Sequence, residues 1–483
     1  MSACAVLHVT SIPGGGVDRH VRDIRARGAR DHLVWHAGEA ADAIEQAHEP
    51  RFLPLDRDAL ATAGESLASW LRGNGVGIVH LHSLGRPARA RAAWAAAALG
   101  VPSLVTLHDV LFLRPDAFSR GDLEADRAWL DEVGPALRGA TRVIAPSTFI
   151  ADLAARHVEG IAPVVVPNGS VPPAASPAAP HPAFAPGRFR RIVAAIGAIG
   201  PHKGARTLEA LARRLAGTDT AVVVVGYLDS QAWPGWYDDH LFVHGPFEEP
   251  DAPALLRAYG AEVALFANTV PESFSYALSD AWAAGLPVIV PPEGALAERV
   301  RAGGGGWLLP PGFGVEEIAA LLARLDTTAG RAEHAQVKSS LEHHDARRLP
   351  LLDAMNDALE DLYRRFGVPP AGPLDVAAAP AQRLLASQLD AGLFRHELVQ
   401  LTRDLGELHE ARRAAREFER NSQAWIAKLE QDVATLQGEL REETARREAL
   451  ERAPLARVLR SRISAWLPEG VKRALGKGRD GRG

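Results

Sequence analysis

Cys4 is the single cysteine of this 483-residue chain. A lone thiol cannot close an internal disulfide, so a reducing compartment is the simpler expectation. No run reaches the roughly 18 or more apolar residues that mark a membrane span. The apolar start, residues 3–9, is short and has no positive stretch before it, so it reads as a buried first strand and not as a signal peptide. Strong charge of one sign is also missing. The net charge is −5, which gives no general case for nucleic acid as a partner. A cytoplasmic location follows as the expectation.

What the chain does have is apolar material, 47% of its residues, and length for two or three domains at roughly 100–200 residues each. Short apolar runs at 5–9, 78–81, 103–107, 142–145 and 164–166 alternate with helical patterns such as 86–99 and 123–137. That alternation predicts a parallel sheet with helices on both faces over residues 1–171. A Pro/Ala-rich linker follows at 172–188. The alternation then restarts, with strands expected at 191–196, 220–225, 242–244, 263–266 and 288–290 and a helix at 205–215. The second domain is expected over 189–343, and a helix over 344–366 closes the unit. The fold class is therefore α/β: two Rossmann-like domains facing a cleft, followed by a long helical extension.

The extension, 374–452, carries heptad-like apolar positions, among them Leu398, Leu401, Leu405, Leu408, Ile426, Leu429, Val433, Leu436 and Leu440. Arg412, Glu419, Ser422, Glu443 and Arg447 fall on the same seam. The pattern predicts a coiled coil with a weak middle, and self-association as its use. A charged helix packed on its own chain is the alternative. The tail, 453–483, is basic, and Leu455, Val458, Leu459, Ile463, Trp466 and Leu467 recur at helical spacing. Such a segment suits an anionic membrane surface, which would put the protein at the inner face of the membrane; a solubilising tail is the alternative.

Four places can carry chemistry. Gly14, Gly15 and Gly16 follow the first strand and precede a helical pattern, an arrangement that lets backbone approach an anion. Their spacing is not G-x-G-x-x-G, which disfavours a nicotinamide cofactor. His108 and Asp109 sit at the carboxyl end of the third expected strand, where open parallel sheets bind ligands. Lys203 stands between Gly200 and Gly204 before a helix, placed to neutralise a leaving diphosphate. The segment 271–287 runs from Glu272 into a helix that reaches Asp280. Positions eight apart on a helix differ by about 80°, so the two carboxylates are expected on one side. First-turn N–H groups would hold phosphate oxygens, and the later carboxylate a ribose diol.

Glu272 and Asp280 with Ala283-Ala284-Gly285-Leu286-Pro287 resemble the paired-acid motif of the fourth family of glycosyltransferases, retaining enzymes of GT-B fold. The order of Gly14-Gly15-Gly16-Val17, Leu107-His108-Asp109, Ala145-Pro146-Ser147, Val166-Pro167-Asn168-Gly169 and His202-Lys203-Gly204 extends the resemblance over about residues 1–365. It implies a nucleotide-sugar donor on the second domain, a glycan or glycolipid acceptor, retention of configuration, no cofactor and no metal. It makes His108, Lys203 and Glu272 the catalytic candidates. Gly14, Gly15, Gly16, Asn168, Phe274, Ser275, Tyr276 and Asp280 become the donor-binding ones. Three positions depart from the family pattern. Gly197-Ala198-Ile199 lacks the arginine that often precedes the lysine, Asp280 replaces the second glutamate, and Ser275 stands where glycine is common. Surface polysaccharide synthesis is the pathway the resemblance suggests. A nucleotide-sugar epimerase and a non-catalytic scaffold organised by the coiled coil are the competing readings.

Overall fold

The structure, a computed structural model, describes residues 4–11, 15–28, 30–38, 42–46, 49–53, 67–120, 123–170, 178–230, 234–342, 345 and 347–369, with scattered positions between 431 and 471. The chain divides into two compact units, residues 1–394 and 395–483.

The first unit holds two sheets. Strands β1 (Ala5–Thr10), β2 (His32–Ala37), β3 (Asp42–Gln46), β4 (Glu49–Leu53), β5 (Val76–Leu81), β6 (Ser103–Thr106), β7 (Arg142–Ala145) and β8 (Val164–Val165) form an eight-stranded sheet in the order β4-β3-β2-β1-β5-β6-β7-β8. It is parallel except for the β2–β3 and β3–β4 pairs. Apolar residues cover both of its faces, as an all-buried parallel sheet requires. The second sheet has seven strands: β9 (Arg191–Ile199), β10 (Thr220–Leu228), β11 (Gly235–Asp238), β12 (Leu241–Val243), β13 (Ala261–Leu265), β14 (Val288–Val290) and β15 (Gly306–Leu308). Their order is β11-β12-β10-β9-β13-β14-β15, with only β11 antiparallel. It too is packed on both faces.

The expected strands are present within a few residues at each end. Strands β2, β3, β4, β11 and β15 were not foreseen, β4 and its neighbour β3 closing one side of the first sheet. Of these, β3 and β4 read Asp-Ala-Ile-Glu-Gln and Glu-Pro-Arg-Phe-Leu, without a dense apolar run. The helix expected over 123–137 runs Arg127–Gly139, because Asp126 caps it by accepting the Trp129 N–H.

The helix expected over 344–366 begins only at Leu352. Pro350 disfavours helical backbone just before it, and residue 351 bridges to Ser170 instead. Met355, Leu359 and Tyr363, four residues apart, then pack onto Val6, Ile78 and Leu104 of the first sheet. The last helix thus returns from the second half to the first. Gly169 permits this crossing: a Cβ there would stand 2.3 Å from the Leu352 Cα.

In the second unit the described residues are helical between 431 and 448 and again near 459–471. Leu440 and Glu443 are the seam positions among them; the other expected seam positions lie outside the described residues. No helix among the described residues is long and apolar enough to cross a membrane.

Candidate functional site

β9 runs out at Ile199, and a 3-10 turn, Pro201–Lys203, leads into the helix Ala205–Arg214. Gly204 makes that turn possible, with φ of +85° and a position where a Cβ would lie 2.2 Å from the Ala267 carbonyl. The close approach docks the turn on the loop after β13, where the Thr269 N–H donates to the His202 carbonyl at 2.9 Å. Lys203 Nζ comes to rest 3.8 Å from Glu272 Oε1. Asn268 Nδ2 donates to the same carboxylate oxygen at 3.0 Å, which fixes its direction.

Glu272 does not lie on the helix. Ser275 is the N-cap, its hydroxyl accepting from the Leu278 N–H, and the helix runs Tyr276–Ala283. The expectation that Glu272 and Asp280 share one helical side is therefore corrected: Glu272 leaves the loop three residues before the cap. Ser275 holds φ of +72°, a left-handed conformation that favours glycine. Arg299 clamps this loop from behind, donating to the Phe274 and Ser275 carbonyls at 3.1 and 2.9 Å. It is fully enclosed, and loss of hydration lowers its pKa to about 9.

The first half supplies the facing wall. Gly16 and Val17 come from the helix Gly15–Arg27, and His108, Asp109 and Val110 follow β6. The Ser273 hydroxyl donates to the His108 carbonyl and ties the two walls together. Between them lies a cavity of about 310 Å³. Asp109 accepts the Leu111 N–H at 2.8 Å, yet burial raises its pKa to about 6. Asn168 is buried, and its Oδ1 has no partner among the described residues.

Gly16, His108, Asn168, Lys203, Glu272, Phe274, Ser275 and Tyr276 all line this cavity. Gly15 opens its helix at φ of +71° but does not line it. Gly14 lies outside the described residues. Asp280 is not on the wall either. Its carboxylate faces Arg19 of the first half, whose guanidinium also lies 4.3 Å from the centre of the Tyr276 ring. Burial pushes the Asp280 carboxyl above its ordinary value, and Arg19 offsets this only in part.

Several contributors carried no sequence signal. Arg19 and Arg299 sit mid-helix, like many surface arginines. Histidines at the carboxyl ends of strands did carry one: His8, His80, His82 and His108 recur there, and His80 and His82 are spaced for one sheet face. Three of them, His8, His82 and His108, form a hydrogen-bonded series with His32, while His80 pairs with Tyr363 and Thr106. His32 Nδ1 meets His8 Nε2 at 2.9 Å, His8 Nδ1 meets His82 Nε2 at 2.8 Å, and His82 Nδ1 meets His108 Nε2 at 2.9 Å. Burial lowers the pKa of each, so all are neutral near pH 7.

Comparison with known structures gives the same two-domain fold throughout. HepE of Anabaena, in complex with UDP and glucose, superposes with a TM-score of 0.54 at 16% identity, over 75% of this chain and 100% of that one. Sucrose-phosphate synthase of Thermosynechococcus elongatus gives 0.53 at 19% identity, over 75% and 98%. A glycosyltransferase of Rickettsia africae gives 0.52 at 14%, over 76% and 99%. Comparison with curated protein sequences gives no match. Two family models match the chain itself: Glycosyltransferase Family 4 over residues 14–170 and Glycosyl transferases group 1 over residues 185–336. Together they span more than half of the chain and meet at the cavity, and the chain belongs to this glycosyltransferase family of GT-B fold.

Proposed function

We propose that the chain moves a sugar from a nucleotide diphosphate donor to a glycan or glycolipid acceptor, with retention of anomeric configuration. The observation that carries this reading is the Lys203–Glu272 pair, 3.8 Å apart beside the start of the Tyr276–Ala283 helix. A diphosphate set between Lys203 and the helix N-terminus meets a fixed positive charge and a positive dipole end. Both stabilise the charge that builds on the leaving group. That supply needs no metal on the donor side.

Glu272, oriented by Asn268, is placed to accept hydrogen bonds from sugar hydroxyls. His108 reaches the cavity from the other half and can hydrogen-bond a group on the donor sugar or the incoming acceptor. Bound UDP and glucose in HepE make UDP-glucose the first donor to try, without fixing the nucleotide for this chain. Turnover of a nucleotide-sugar panel, with the anomeric configuration of the product read by NMR, tests the proposal. Transfer with retention supports it. Inverted product removes the retaining mechanism, and an epimerised donor without nucleotide release removes transfer.

A further inference from the structure

His20, on the helix Gly15–Arg27, is 2% exposed, and neither of its ring nitrogens has a hydrogen-bond partner among the described residues. A buried polar group left in this way forfeits its hydration without a compensating bond. Its ring packs edge-on against two other imidazoles, with centroids 4.8 Å from His108 and 5.6 Å from His82. The three rings can each offer one nitrogen, and those nitrogens lie within 4.8 Å of one another.

We propose that His20, His82 and His108 form a binding site for a divalent transition metal ion of the zinc class. Three imidazoles without a carboxylate exclude a preference for magnesium or calcium, which take oxygen ligands. Three histidines plus an open fourth position are a known way of holding zinc. Zn–N bonds of about 2.0–2.1 Å in a tetrahedron place neighbouring nitrogens about 3.4 Å apart, so the ion would take the place of the 2.9 Å hydrogen bond between His82 Nδ1 and His108 Nε2 and draw His20 in beside them. His108 forms part of the cavity wall, which gives the ion a route in and puts it within reach of a small ligand.

The neighbouring set His8, His80 and His82 is a weaker candidate. His8 has both nitrogens bonded, to His32 and His82, and His80 has both bonded, to Tyr363 and Thr106, whereas in the preferred set only His82 has both engaged, to His8 and His108. His20 alone among these rings brings two unmet nitrogens. His8 plays a supporting part: its bond to His82 Nε2 leaves His82 Nδ1 as the nitrogen that faces His108. The site shares His108 with the proposed glycosyl-transfer reading but not Lys203 or Glu272, so metal binding is measured apart from turnover.

The test uses the full chain, stripped with a chelator and titrated with Zn²⁺ and with Co²⁺. Wild type is expected to bind one equivalent, to show the visible ligand-field bands of nitrogen-coordinated Co²⁺, and to melt at higher temperature with Zn²⁺ present. His20→Phe keeps an aromatic ring against His82 and His108 but removes a ligand. It is expected to weaken binding on the order of 100-fold or more, beyond the 10–100-fold typical of losing an outer-shell partner. Circular dichroism checks that the variant is folded, and His20→Gln serves as a second replacement. Wild type that takes up no metal, or variants that bind it as tightly as wild type, would overturn the site.

Discussion

Arg19 of the first half places its guanidinium 3.4 Å from the carboxylate of Asp280 in the second half, with both side chains mostly buried. The pair joins the helix Gly15–Arg27 to the helix Tyr276–Ala283, so it fastens the two sides of the cleft behind the cavity wall. Removing one partner leaves the other's charge in a poorly hydrated place. Arg19→Met or Asp280→Asn alone should each cost roughly 3 kcal/mol, and the double variant less than their sum. Urea unfolding of the four proteins measures the coupling. Strictly additive losses would mean that the contact contributes nothing.

The same contact bears on donor binding. The resemblance assigns Asp280 to a ribose diol, but here the carboxylate is engaged by Arg19. If ribose competes for it, Arg19→Met should tighten nucleotide binding several-fold despite its lower stability. Calorimetric titration with nucleoside diphosphate reads this directly. Unchanged affinity in Arg19→Met would show that Asp280 does not meet the ribose.

Ser275 offers a test with opposing signs. Its left-handed backbone is strained for any residue with a Cβ, while its hydroxyl caps the helix that follows. Ser275→Ala keeps the strain and loses the cap, so it should cost about 1 kcal/mol. Ser275→Gly also loses the hydroxyl but relieves the strain, and should fall within about 0.5 kcal/mol of wild type. Equal losses in the two variants would contradict this account.

Much of the fold was legible because parallel strands, buried on both faces, show as dense apolar runs. Val222 to Val225 and Val288 to Val290 are such runs, and both lie in strands. Strands β3 and β4 were illegible for the converse reason, while β2 was overlooked although Leu33, Val34 and Trp35 form a short apolar run in it. Lys203 and Glu272 were readable because flanking glycines and prolines mark the turns that carry them. Asp280 misled, since its partner comes from a residue 261 positions earlier, a contact no local pattern encodes. The histidine cluster escaped attention because its members are scattered from His8 to His108 and converge only when β1, β5 and β6 lie side by side.

The C-terminal unit exposes Leu459, Ile463 and Trp466, the last 91% accessible, amid a basic sequence. A chain ending near residue 394 should lose binding to vesicles containing anionic lipid, and salt should weaken the binding of the full chain. Sedimentation with such vesicles makes the comparison. Light scattering of the same two proteins reports whether residues beyond 394 also drive self-association, as the heptad pattern predicts. Retained vesicle binding and an unchanged mass in the truncated chain would remove both roles.

The measurement that bears most directly on the central claim is nucleotide release from UDP-, GDP-, dTDP- and ADP-sugars, comparing wild type with Lys203→Ala. The account predicts release from one donor, slow without acceptor, and a fall on the order of 100- to 1000-fold in the variant with its fold intact. Equal release by the two proteins would contradict the role given to Lys203. No release from any donor, even with glycolipid acceptor present, would contradict glycosyl transfer and leave a binding or scaffolding role for the two-domain fold.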